Sequence, residues 1–430
     1  MRAGTTTVEA VMTATSHHGL AAGVGLALLC AAAAACSSSA PPPDECDLAA
    51  GLSASQCTMV KAMVLPADLP PSPANDHADD VDAAHLGFLV FFDARFSSNQ
   101  NVRCETCHAP EDYFDDEKTT SVGLSTGVRN SPTLFNAARL THSFFWDGRA
   151  DSLWSQPLFA MENPLEMGFT RLGVAHRLVE SFSAEYAAAF STLPDLSDAT
   201  RFPAAGMPGQ PAWDQMAPVD QVTINDIVAN LGKAMEAYDR KLAAGPAPFD
   251  AFLGGQSDAL TDAQKSGLAS FVQLGCATCH SGPMFTDEGF HNLGVPALPG
   301  AAPDRGRIDG IPILLANPFD LDGPYVDGSP QPLTITSSPS DLGAFRTPSL
   351  RNVGLSAPYG HNGTFATLPD VINFHLQGGG RGKTGFVGDV DPALLPQSAS
   401  TQTVQNIADF LSTLTGATPP PPWNDWPSKS

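Results

Sequence analysis

The sequence predicts a mainly α protein in which short helices are separated by long irregular loops. Three observations predict it. Apolar residues recur at helical spacing in several separate stretches, and alternating strand patterns are sparse. Glycine and proline number 38 each among 430 residues, and that much punctuation cuts the chain into short elements. Hydrophobic residues make up 43% and charged residues 16%, enough apolar material for sizeable cores.

The chain opens on an export signal. Residues 19–35 form an alanine-rich apolar run with one cysteine and no charge, too short and small-sided for a membrane span. The run ends Ala33-Ala34-Ala35-Cys36 and is followed by three serines. That order resembles a lipoprotein cleavage site, with Cys36 as the lipid-bearing first residue and a membrane anchor. Ordinary cleavage after Ala35 is the alternative, and Cys30, behind Leu28 and Leu29, is the poorer lipid site. Either route makes residues 1–35 a signal peptide and places the protein in the periplasm. Residues 36–76, rich in Pro, Ser, Ala and Asp, read as a flexible linker. Within it Cys46 and Cys57 are candidates for a disulfide in an oxidising compartment.

The first strong helix starts after Asp80, a candidate N-cap, and carries Val81, Ala84, Leu86, Leu89, Val90 and Phe92. A second is expected over 172–182. A third runs over 224–242, with Ile224, Ile227, Val228, Leu231, Met235 and Tyr238 in helical register and Thr223 as its cap. Gly245-Pro246 then breaks the chain, which sets a domain boundary. A fourth helix begins at Thr261, with Gln264 as capping-box partner, and a last one covers 404–414. The stretch 294–340 reads as loop with a short hairpin.

The formal net charge is −23, which excludes nucleic-acid binding, an interaction dominated by cations on phosphates. It favours a basic protein partner through long-range attraction. Solubility alone is the alternative explanation.

Two segments carry chemistry. Cys104-Glu105-Thr106-Cys107-His108 and Cys276-Ala277-Thr278-Cys279-His280 both have the form C-x-x-C-H. That spacing suits covalent attachment of haem c, each thiol joined to one vinyl group and the histidine placed beneath the iron. Two such copies predict two covalent haems and therefore two cytochrome c-like haem domains, at 77–243 and 244–420. A zinc site would need four ligands gathered from two distant pairs, and a thioredoxin-like pair would need a βαβ context that is absent.

The sixth ligand of each iron separates catalysis from electron transfer. No histidine or methionine lies between His108 and His142, so the loop after the first motif supplies neither ligand. An open iron suits peroxide chemistry. Capping by His142, Lys118 or a distant residue is the alternative.

Further segments resemble the bacterial di-haem cytochrome c peroxidase family, which includes the MauG-type enzymes. They are 87–97 (GFLVFFDARFS), 129–133 (RNSPT), 145–150 (FWDGRA), 163–167 (NPLEM), 345–352 (FRTPSLRN) and 357–363 (APYGHNG). Together they span about residues 80–420 in order. The resemblance implies a peroxidatic haem on His108 and an electron-transfer haem on His280. It makes Glu166 the distal acid that relays a proton across the O–O bond, and Trp146 the indole between the haems. It also implies a calcium ion held by Asn130 and the carbonyls of Ser356 and Pro358, oxygen ligands that suit a hard cation. The family often forms homodimers.

Two departures stand out. Leu124 occupies the position where many of these peroxidases carry a distal histidine, which implies an iron open at rest. His375 occupies the position of the second haem's methionine or tyrosine, which implies bis-histidine ligation and a lowered potential. The expected activity is reduction of hydrogen peroxide to water, with electrons from a small c-type cytochrome or cupredoxin. Glu166 would assist O–O heterolysis, and the second oxidising equivalent would rest on the second haem or on Trp146. MauG-like oxidation of a partner protein's side chain, or a plain electron-transfer cytochrome, are the alternatives.

Overall fold

A computed structural model describes residues 51–332, 334–419 and 421–423. Signal cleavage, lipidation at Cys36 and the Cys46 end of the expected disulfide lie outside the described residues. Twelve helices follow in chain order among those described. They are α1 (Ala54–Lys61), α2 (Val81–Phe91), α3 (Gln156–Glu162), α4 (Arg171–Ser181), α5 (Ser183–Ala189) and α6 (Pro211–Asp214). Then come α7 (Pro218–Asp239), α8 (Pro248–Leu253), α9 (Asp262–Gln273), α10 (Arg307–Leu315), α11 (Leu368–Leu376) and α12 (Thr401–Ser412). A two-residue strand pair, β1 (Phe290–His291) with β2 (Phe345–Arg346), is antiparallel. The chain is mainly helical, and no described helix is long and apolar enough to cross a membrane.

Local chemistry accounts for most helix starts. Asp80 caps α2 by accepting from the N–H groups of Asp82 and Ala83. Thr261 and Gln264 form both bonds of a capping box on α9. The long helix α7 begins earlier than its apolar pattern implied. Pro218 at the first turn starts it, and Thr223 lies inside, its hydroxyl donating to the Val219 carbonyl instead of capping. The expected hairpin within 294–340 is replaced by α10, flanked by β1 and β2. Gly310 and Pro312 inside α10 disguised its periodicity.

Two hydrophobic clusters organise the body. The first gathers α2, α4 and α7 around Leu86, Val90, Leu172, Leu231 and Tyr238. The second gathers α8, α9 and α12 around Phe249, Leu268, Phe271, Ile407 and Phe410. Each depends on a helix pair that meets at a glycine. A Cβ on Gly87 of α2 would lie 2.2 Å from the Ala234 carbonyl oxygen of α7. One on Gly267 of α9 would lie 1.9 Å from the Asn406 carbonyl oxygen of α12. Only glycine permits these approaches.

The clusters exchange chain segments. Residues 53–65, expected within a flexible linker, are built into the second cluster. Ser53 and Gln56 cap α1, and Val60 and Met63 are buried. The Pro- and Ser-rich composition concealed a capping box and two apolar anchors. In the other direction, Phe319 joins the first cluster, and Asp327 pairs with Lys233 of α7 at 2.6 Å. The contiguous boundaries read from sequence therefore do not match the packing at these two segments.

Candidate active site

Both C-x-x-C-H segments fold into the same turn. The His108 N–H donates to the Cys104 carbonyl at 3.0 Å, and the His280 N–H to the Cys276 carbonyl at 3.0 Å. A short 3-10 turn begins at each first cysteine, so two thiols and one imidazole gather on one side. The imidazoles are oriented alike. Nδ1 of His108 donates to the Phe114 carbonyl at 3.2 Å, and Nδ1 of His280 to the Phe285 carbonyl at 3.0 Å. Phe114 and Phe285 both adopt left-handed backbone, at φ 57° and 53°, which turns each carbonyl back toward its histidine. The remaining nitrogen, Nε2, is the one that could bind a metal in each ring. Burial keeps both imidazoles neutral, with His280 pushed down to about 4 by desolvation and by nearby His375. Burial also raises the thiols, Cys104 to about 12 and Cys276 to about 11, so they are uncharged.

A cavity of about 780 Å³ joins the two motifs. His108, Glu166 and Trp146 line it toward the first motif, and His280 and His375 toward the second. The cavity passes Arg346, whose Nε and Nη1 are buried without hydrogen bonds. Two thiol–histidine sets, a shared apolar cavity and a buried guanidinium with two nitrogens short of hydrogen bonds fit haem c, whose propionates are anionic.

Glu166 follows α3 on the segment 163–167. Its Oε1 accepts from Asn163 Nδ2 at 2.6 Å and lies 3.8 Å from Arg149 Nη2. Burial raises its carboxyl above the usual range, and Arg149 and Asn163 only partly oppose this. The segment is positioned by a second loop. Leu124 N–H donates to the Glu166 carbonyl at 2.9 Å, and Ser125 N–H to the Leu165 carbonyl at 3.0 Å. A Cβ on Gly123 would meet the Glu166 carbonyl at 2.5 Å, so the loop needs glycine there. Leu124 packs on the first hydrophobic cluster.

Trp146 is half-buried and donates Nε1–H to the Asn130 carbonyl at 2.9 Å. Its own carbonyl accepts from Arg346 N–H at 2.8 Å, which ties the indole to β2. Asn130 in turn donates N–H to the His361 carbonyl and Nδ2–H to the Lys118 carbonyl. Asn130, Ser356 and Pro358, expected to share a calcium ion, line the same cavity. His375 sits on α11 with Nδ1 bonded to the Val371 carbonyl at 2.8 Å, which leaves Nε2 as the nitrogen that could bind a metal.

Sequence reading missed three contributors. Arg129 bridges Asp147 and Asp304, and Asp147 also holds Arg149, so a charged chain runs to Glu166. His291 on β1 is clamped by Asp391 at 2.7 Å and Asp287 at 3.0 Å, and the Cys279 side chain first, then these two carboxylates, hold its imidazole up at about 10 against burial. Arg346 was quoted only inside a motif. The pairings of Arg129 with Asp304, His291 with Asp391 and Arg346 with Trp146 join residues far apart in the chain, and no spacing rule signals them.

Comparison with known proteins follows this geometry. Residues 81–258 match a family model described as di-haem cytochrome c peroxidase. The chain is 32% identical over 342 residues to cytochrome c551 peroxidase of Pseudomonas aeruginosa, covering 78% of this chain and 79% of that protein. It is 31% identical over 351 residues to cytochrome-c peroxidase IdrP2 of Denitromonas iodatirespirans, covering 79% and 83%. It is 27% identical over 334 residues to the methylamine utilization protein MauG of Methylophilus methylotrophus, covering 74% and 82%. Among solved structures, a MauG-like protein associated with microbial copper homeostasis aligns with TM-score 0.61 at 23% identity, over 85% of this chain and 99% of that one. The diheme peroxidase BthA of Burkholderia thailandensis aligns with TM-score 0.59 at 22% identity, over 85% and 99%. These two likenesses concern the fold.

Proposed function

The chain belongs to the di-haem cytochrome c peroxidase family, and from that premise we propose that it reduces hydrogen peroxide at the His108 haem with electrons entering through the His280 haem. One observation carries the reading: Glu166, a carboxyl raised by burial, lines the cavity of His108 and is backed by a loop that presents Leu124 instead of a ligand.

Cys104, Cys107 and His108 would hold the first haem, and Cys276, Cys279, His280 and His375 the second. Bound haem supplies iron that takes oxidising equivalents from peroxide. The chain supplies the rest. Glu166 accepts the proton of one peroxide oxygen and delivers it to the other, so that water leaves. Asn163 fixes Oε1, and Arg149 steadies the carboxylate before the first transfer and after the second. The Phe114 carbonyl draws on the His108 Nδ1–H, which makes the imidazole a stronger donor through Nε2. Trp146, which lines the cavity that joins the motifs, would carry an electron between the haems. A calcium ion at Asn130, Ser356 and Pro358 would steady the meeting of the two halves.

The electron donor is a small c-type cytochrome or cupredoxin with a basic face, drawn by the net charge of −23. Haem c is attached outside the cytoplasm, which places the reaction in the periplasm. A second reading, oxidation of a partner protein's side chain, is favoured by Leu124, because an iron open at rest needs no prior reduction.

The test mixes the ferric two-haem protein with peroxide while absorption is followed. A high-spin first haem that responds at once, followed by turnover with a reduced cytochrome, is the expected result. Two low-spin irons in every redox state would leave only an electron carrier.

A further inference from the structure

A second route for oxidising equivalents leads away from the first haem site through a small cavity beside the first motif. Phe91 of α2 lines a small cavity together with Cys104, Cys107, His108 and Asp239. Behind Phe91 stands Tyr238 of α7, fully buried, with ring centroids 5.3 Å apart. Behind Tyr238 stands Trp423, at 6.2 Å between centroids. Trp423 is half-buried, so this stack of rings reaches from the haem wall to the protein surface. Phe88 packs edge-on against both Tyr238 and Trp423, at 5.5 and 6.3 Å, and fixes their spacing.

The order of residue types matters. Phenylalanine is too hard to oxidise and serves as a bridge, whereas phenol and indole rings lose an electron far more readily. Short successive steps between oxidisable rings carry a charge faster than one long jump. Packing alone would be satisfied by phenylalanine or leucine in this apolar cluster. Another aromatic series, Trp154 to Phe319 to Tyr325, begins at an indole that lines neither the large cavity nor the small one.

We propose that Trp423 is a surface oxidation site, the terminus of an electron path that enters the His108 haem through Tyr238 and Phe91. The inference rests on the peroxidatic reading of that haem. Peroxide takes up two electrons and two protons to give two waters. Trp423 supplies one of those electrons, its indole proton passes to solvent, and a tryptophyl radical remains. A neutral one-electron donor at the surface, such as a phenol, returns an electron and a proton and restores the indole. Without a donor, a second one-electron loss and addition of water give hydroxytryptophan.

The experiment treats the full two-haem protein with a few equivalents of peroxide, with and without hydroquinone. Haem absorption, radical resonance spectra and peptide masses are recorded together. The expected result is a tryptophyl radical and one added oxygen on the peptide holding Trp423, both suppressed by hydroquinone. Trp423→Phe abolishes both. Tyr238→Phe, which keeps the ring and the packing, lowers their yield several-fold while the haem response to peroxide stays the same. A haem that responds while Trp423 remains intact overturns this inference alone. A haem that never responds overturns the peroxidatic reading with it.

Discussion

Arg149 places Nη2 at 3.8 Å from Oε1 of Glu166, too far for a direct hydrogen bond and near enough to act through charge. The carboxyl therefore feels two opposed influences. Burial favours its neutral form, Arg149 and Asn163 favour the anion, and burial prevails. Such a group exchanges protons closer to neutrality than an exposed glutamate.

Removing that exchange gives the first prediction. Glu166→Gln keeps the shape and loses the proton relay. Turnover with peroxide should fall by roughly 10²–10⁴, the usual worth of general acid–base catalysis. The reactive form must accept a proton first, so the wild-type rate should decline as pH falls through the raised pKa of Glu166. The variant should lack that limb. A pH–rate series on both proteins checks it, and unchanged turnover would refute the role.

Leu124 tests the open iron. Its N–H bond to the Glu166 carbonyl holds the loop beside the acid. Leu124→His offers an imidazole ligand from that loop. The resting first haem should shift from high to low spin, and its reaction with peroxide should slow until the protein is reduced. Absorption and spin resonance spectra read the change directly.

The second haem is tested at His375. Replacing nitrogen by thioether sulfur raises a haem potential, so His375→Met should move the lower-lying haem upward by on the order of 0.1 V, within the roughly 0.8 V that axial ligands span. Potentiometric titration checks it. No movement would place the ligand elsewhere.

Arg351 ties three separate segments together. It pairs with Asp250 of α8 through two bonds of 2.6 and 2.9 Å, and donates to the carbonyls of Met63 and Pro283. Arg351→Met should cost about 3–5 kcal/mol, since it strands a buried carboxylate. Burial alone would raise the pKa of Asp250, but Arg351 and the N–H groups of Ala247 and Leu65 outweigh it and lower the value. A lowered carboxylate stabilises the fold above its unfolded pKa of about 4. That contribution is lost as pH falls through the lower folded value. Thermal unfolding of wild type and Asp250→Asn from neutral to acid pH should converge at the acid end.

The helix contacts are tested by Gly87→Ala and Gly267→Ala. Each adds a methyl where a carbonyl oxygen stands within 2.2 Å or less, so helices must separate. A loss of about 1–3 kcal/mol or more in unfolding free energy is expected from overpacking. Urea denaturation measures it.

Residues close in the chain were legible without the fold. The turn from Cys104 to His108, the capping box at Thr261 and Gln264, and the Asp80 cap all depend on bonds across two to four positions, which spacing encodes. Where the sequence misled, the cause was also local. A proline and a glycine masked α10, and a linker-like composition masked α1. Tertiary structure alone decided which surfaces meet. It brings Leu124 to Glu166, Arg346 to Trp146, Arg351 to Asp250 and Trp423 to Tyr238. Those pairings come from burying apolar helix faces and satisfying the buried polar groups that result. Such burial sums over the whole chain, and no single stretch of residues contains it.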